Sequence, residues 1–162
     1  MSEPLETYLQ DHLAGGSHAI DLLNWMKTRH PDDAVGAFVR SLVSEIEKDR
    51  EALIGIAGRL GLKESALKET GAWFSEKVNR LKLSDHGSTG IGTFEALEFL
   101  ALGIHGKLAL WRALDALAKT DGRLSEINFD DLTQRAETQE ASVDRLRLQI
   151  APIALGSVHK SP

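Results

Sequence analysis

The sequence predicts an all-α fold, a bundle of long helices lying side by side. Three features lead there. Apolar residues recur three and four positions apart through most of the 162 residues, the period of an amphipathic helix. All four prolines, Pro4, Pro31, Pro152 and Pro162, fall outside the expected helix interiors or near an end. The long stretch between Pro31 and Pro152 is therefore spared the roughly 3 kcal/mol that an interior proline costs. Strand signals are almost absent, with no sustained alternation and no β-branched runs paired across an Asn-Gly or Asp-Gly turn.

The elements follow in order. Pro4 suits a first helical turn, and the first helix is expected from about residue 4 to about 28 with Leu5, Leu9, His12, Leu13, Gly16, Ile20 and Leu23 on one stripe. Arg29-His30-Pro31 closes it. Asp32 or Asp33 caps a second helix, about 32 to 60, that carries Phe38, Leu42, Ile46, Leu53, Ile56 and Leu60 before Gly61 stops it. A shorter third helix, about 64 to 83, holds Leu67, Trp73, Phe74, Val78 and Leu81 and ends in the loop-like stretch Ser84 to Gly90. The fourth runs from about 93 to 119 with Phe94, Leu97, Ala101, Ile104, Leu108 and Trp111 on one face. Asp121-Gly122 turns the chain, Asn128 caps, and the fifth helix spans about 129 to 155 with Leu132, Ala136, Val143, Leu146, Ile150 and Ile153 in register.

A chain of this size buries roughly 70% of its unfolded surface and needs no staple. With no Cys, disulfides, thiolate metal clusters and a cysteine nucleophile are excluded. The formal net charge of −5 and pI near 5.7 argue against a nucleic-acid partner, which requires a basic face. Met1-Ser2-Glu3-Pro4-Leu5 does not open a signal segment, and no apolar run approaches the ~20 residues of a membrane span. A single cytoplasmic domain, 1–162, with no membrane partner is the expectation.

Four helices of equal length pack best side by side. If the short third helix runs back along the bundle, the second and fourth become parallel, the long-crossover connection. Two long hairpins joined in this way resemble the ferritin-like superfamily, in particular small bacterial members with a helix inside the crossover. A plain five-helix up-and-down array fits the same pattern. The resemblance implies inward-facing carboxylates and two Glu-x-x-His pairs that hold a di-iron or di-manganese centre. Such pairs are missing here: Glu45 reaches Lys48, Glu95 reaches Glu98, Glu98 reaches Ala101 and Glu137 reaches Glu140.

Ionisable residues nevertheless fall where the period places core. His12 lies on the stripe of Leu9 and Ile20; Glu45 and Asp49 flank Ile46; Glu98 and His105 are seven residues apart and differ by only about 20° around their helix. Among them Glu98, surrounded in sequence by Leu97, Phe99, Leu100 and Leu102, is the leading candidate for a buried carboxylate. Glu45 and Asp49 are expected at the flank of their stripe, and Glu137, Glu140 and Asp144 on a solvated face. Gly15, Gly16, Gly55, Gly58, Gly103 and Gly106 fall inside helical patterns at about 1 kcal/mol each relative to Ala. Close approach of neighbouring helices accounts for them; room for a small ligand beside His12 and His105 is the alternative.

Two functions follow. One is a non-catalytic bundle acting through self-association, as a homo-oligomer, or through a protein partner. The other is a metal-binding or redox protein with a degenerate site drawn from His12, Glu45, Asp49, Glu98 and His105, a donor set suited to iron, manganese or zinc.

Overall fold

Local chemistry sets each helix end. Pro4 and two acidic residues, Glu3 and Glu6, open α1 (Glu3–Arg29), and Lys27 and Arg29 stand at its negative end. The Asp33 carboxylate accepts from the Gly36 amide and caps α2 (Ala34–Leu60). Gly61 at φ 94° turns the chain out of that helix; its own amide donates to Gly58 O and the next amide to Ala57 O, which tucks Leu62 into the core. After Gly90, also at positive φ, comes α3 (Ile91–Ala118). A 3₁₀ turn (Gly122–Leu124) follows, and Asn128 caps α4 (Phe129–Leu155) through the Asp131 amide. The expected helices at 4–28, 32–60, 93–119 and 129–155 are thus present with ends displaced by a residue or two.

The computed structural model describes residues 2–62, 76, 79 and 90–156. The expected helix at 64–83 and the loop before Gly90 lie outside the described residues, apart from Glu76 and Asn79, both helical. Among the described residues there is no strand, and no helix is long and apolar enough to cross a membrane.

The packing is a square of helices: α1 against α2 and α3, and α4 against α3 and, more sparingly, α2. Contacts at the two ends give the directions. At one end His30, just after α1, hydrogen-bonds Thr93 in the first turn of α3 at 2.8 Å, and its other ring nitrogen meets Asp33 at 2.7 Å. At the other end Arg123, just after α3, donates to Leu60 O in the last turn of α2 at 3.0 Å. The starts of α2 and α3 therefore share one end of the bundle and their last turns share the other: the two helices are parallel, on a diagonal. Each of 27 or 28 residues is about 40 Å long, so the chain leaving α2 must return by that distance to begin α3.

The core runs the length of this square. Leu9, Leu13, Leu22, Leu23 and Met26 of α1 meet Val39, Leu42, Ile46, Leu53, Ile56 and Leu60 of α2; α3 supplies Leu97, Leu100, Ile104, Leu108, Trp111 and Leu114, and α4 Leu132, Ala136 and Val143. Each fully buried leucine contributes about 1.5–3 kcal/mol.

The corner between α1 and α2 depends on one glycine. A Cβ on Gly36 would stand 1.7 Å from the His30 carbonyl oxygen, a backbone atom held by its own turn. Gly36→Ala is expected to lower stability by about 2–3 kcal/mol, the range of overpacking in a site that does not yield. Urea denaturation monitored by circular dichroism checks this; an unchanged midpoint would place the corner elsewhere.

Candidate functional site

The apolar stripes of three helices are each interrupted by one polar residue, and the three interruptions meet. Asp49 lies between Ile46 and Leu53 on α2, Lys107 between Ile104 and Trp111 on α3, and Gln139 between Ala136 and Val143 on α4. Asp49 is only 2% exposed. Its Oδ2 accepts from Lys107 Nζ and, at 3.0 Å, from Gln139 Nε2, while Oδ1 stands 2.7 Å from Arg135 Nη2, at ion-pair distance but without hydrogen-bond geometry. Gln139 completes the cluster by accepting from Lys107 and donating to Glu45 Oε2 at 3.2 Å. Two carboxylates face two cations, so the cluster balances its own charge. Burial pushes the Lys107 ammonium below the ordinary lysine value, and Asp49 beside it pulls the other way.

Beside this cluster a cavity of about 400 Å³ opens between α1, α2 and α3. Four glycines shape it: Gly15 and Gly16 on α1, Gly103 and Gly106 on α3. A Cβ at Gly15, Gly103 or Gly106 would meet nothing within 4 Å, and at Gly16 only the stem of Arg50, from 3.6 Å. Ile46, Leu53, Phe99, Leu100, Ile104, Leu110 and Trp111 make the wall largely apolar. The polar residues at its border are Asp11, His12, Asp49, Arg50 and Lys107; Asp11 and Leu102 are exposed and mark the open side. His12 packs edge-on against the Tyr8 ring, with centroids 4.7 Å apart. Burial holds its imidazole below the ordinary histidine value and so favours the neutral ring, against the opposing effect of Asp11.

Several sequence expectations are corrected. Glu98 is no buried carboxylate: it is 55% exposed on the outer seam of α3 and α4, 3.4 Å from Arg147, whose guanidinium also covers the Phe94 ring and pairs with Asp144. His105 shares that outward seam, 66% exposed and paired with Glu140 at 3.0 Å. Glu98 and His105 do lie on one helix face, but that face turns toward the α4 flank and solvent. Asp49, expected at a flank, is the buried carboxylate instead. Close helix approach at the glycines is likewise overturned, since Gly15, Gly55, Gly58, Gly103 and Gly106 all border open space. Of the five proposed ligands, His12 and Asp49 border the cavity, Glu45 joins Asp49 through Gln139, and Glu98 and His105 are elsewhere. Among the described residues no group of three or more His, Asp and Glu is placed to hold a metal ion.

Lys107, Gln139, Arg135 and Arg50 were not singled out from the sequence. A signal existed for the first two: each sits three residues after one apolar stripe residue and four before the next, as Asp49 does after Ile46 and before Leu53.

Removing Asp49 takes the shared carboxylate from two cations, Lys107 at 14% and Arg135 at 33% exposed. Asp49→Ala is expected to cost about 3–5 kcal/mol, and Asp49→Leu combined with Lys107→Met less than Asp49→Ala alone, because a charge-free pair leaves no buried ammonium. Chemical denaturation of the variants measures both; additive losses would mean that the two groups do not interact. No protein-family model, curated protein or solved structure matches the chain.

Proposed function

We propose that this chain is a non-catalytic binding protein that takes a small, largely apolar molecule into the cavity between α1, α2 and α3. The observation that carries the reading is the set of glycines. Four of them stand inside two helices, each at a cost of about 1 kcal/mol relative to alanine, and none is needed for backbone contact. What they provide is space, within the size range of small-molecule sites and with the apolar walls and few polar groups usual there. The bundle itself is read as ferritin-like in topology, a reading supported by the parallel diagonal of α2 and α3 and by the return the chain must make between them. In that frame the Asp49 cluster fixes helix register rather than serving chemistry, since its charges are satisfied internally.

Gly103→Leu tests the reading. With open space at its Cβ, the variant is expected to fold with unchanged or higher thermal stability while its side chain takes up part of the cavity. Binding of 1-decanol, followed by NMR shifts of the cavity amides, is expected in the native chain and reduced at least about tenfold in the variant, a loss of about 1.4 kcal/mol. Equal binding in both would remove the cavity as the site.

A second reading, self-association, is favoured by the far end of α4. Leu148 and Leu155 lie two turns apart on one face and are exposed, as is Ile153 at 74%. Sedimentation velocity is expected to show a dimer that Leu148→Glu dissociates; a monomer at all concentrations would dismiss it.

A further inference from the structure

We infer that the molecule held in the cavity is an amphiphilic monocarboxylate whose head group pairs with Arg50. This rests on the binding reading above and narrows it to a chemical class. The basis is an imbalance of charge at the cavity border. Lys107 and Arg135 share Asp49, Arg147 has Asp144 and Glu98, Arg112 has Glu137, and Arg59 has Glu126. Arg50 has no carboxylate within 4 Å among the described residues, although it is half-buried.

Its position is nevertheless fixed. The stem lies along Gly16, whose Cβ position is 3.6 Å from it, and Nε donates to Ser17 Oγ at 3.0 Å. Ser17 in turn donates to Leu13 O at 3.1 Å, so its hydroxyl meets Arg50 as an acceptor. Among the described residues both terminal amino groups of the guanidinium are left without an acceptor, the pair of donors that a carboxylate takes in a bidentate contact. A half-desolvated cation without a counter-ion is unfavourable, and a ligand carboxylate relieves it.

The surroundings select the class. A phosphate, at −1.5 to −2 near neutral pH, would exceed the single positive charge on offer. Lys107 is already bound to Asp49 and Gln139, and the neutral form favoured for His12 adds no second charge. Asp11 at the open rim repels a second carboxylate, which disfavours dicarboxylates. The apolar wall formed by Ile46, Leu53, Phe99 and Leu110 suits a hydrocarbon tail.

Titration of the full chain with decanoate and with 1-decanol, followed by NMR, tests this. Decanoate is expected to bind at least about tenfold more tightly than decanol, as a charge-assisted contact provides. Arg50→Gln is expected to abolish that preference, so that decanoate binds no more tightly than decanol to the same variant, and Arg50→Lys to retain part of it. Equal affinity for the two probes, or a preference that survives in folded Arg50→Gln, overturns the carboxylate assignment while the cavity stands as a site. If neither probe binds the native chain, both readings fall. Should Arg50→Gln not fold, Arg50→Lys decides: a preference reduced at least about threefold supports the pairing, since an ammonium lacks the planar fork, and an unchanged one overturns it.

Discussion

A single carboxylate, Asp49, holds three of the four helices in one arrangement. It leaves α2 from the middle of an apolar stripe and meets Lys107 from α3 and Arg135 and Gln139 from α4. The α2/α3 pair is a diagonal of the square with few close backbone approaches, and the long Lys107 side chain reaches across it to Asp49. Hydrophobic burial is non-directional and tolerates sliding of one helix along another. A buried carboxylate that must meet two cations and an amide does not, because a shift of register leaves the 2%-exposed Asp49 without its partners.

The same side chains explain why a cavity lies next to the cluster. Long polar groups reach across the centre beside it, and the facing positions of α1 and α3 carry hydrogen in place of side chains at Gly15, Gly16, Gly103 and Gly106. Aliphatic residues there would have filled the gap; with glycines it stays open, bordered on one side by Arg50 and on the others by aromatic and branched carbon. Cluster and cavity thus share a boundary: Asp49 and Lys107 belong to both.

Much of the architecture was readable from local signals. Asp33, Gly61 and Asn128 act within four residues of themselves, through a side chain reaching a nearby amide or a backbone angle that glycine tolerates, and each ends or starts a helix where the sequence placed it. The candidate site was less legible, and Glu98 shows why. Periodicity locates a face to within a turn but does not say which neighbour that face meets, and leucines on both sides of Glu98 in sequence belong to different faces of α3. Leu97 and Leu100 are buried; Leu102, two residues further on, is exposed. His105 failed for the same reason. Asp49 was less legible because its partners come from residues nearly sixty and ninety positions away. Of the six glycines expected at helix contacts only Gly16 stands against a neighbouring helix, at the Arg50 stem, and the other five border open space, a distinction that only the opposing helix decides.

The parallel diagonal also divides the work of chain closure. Within each hairpin, α1 with α2 and α3 with α4, partners are joined by short turns and meet at little entropic cost. The two contacts that close the ends of the bundle, His30 with Thr93 and Leu60 with Arg123, each join residues 63 positions apart. Closing so long a loop costs conformational freedom that grows with the logarithm of its length, and that cost falls on the docking of one finished hairpin against the other. In terms of contact order the molecule is two low-order halves coupled by a high-order seam, and Asp49, Lys107, Arg135 and Gln139 sit on that seam.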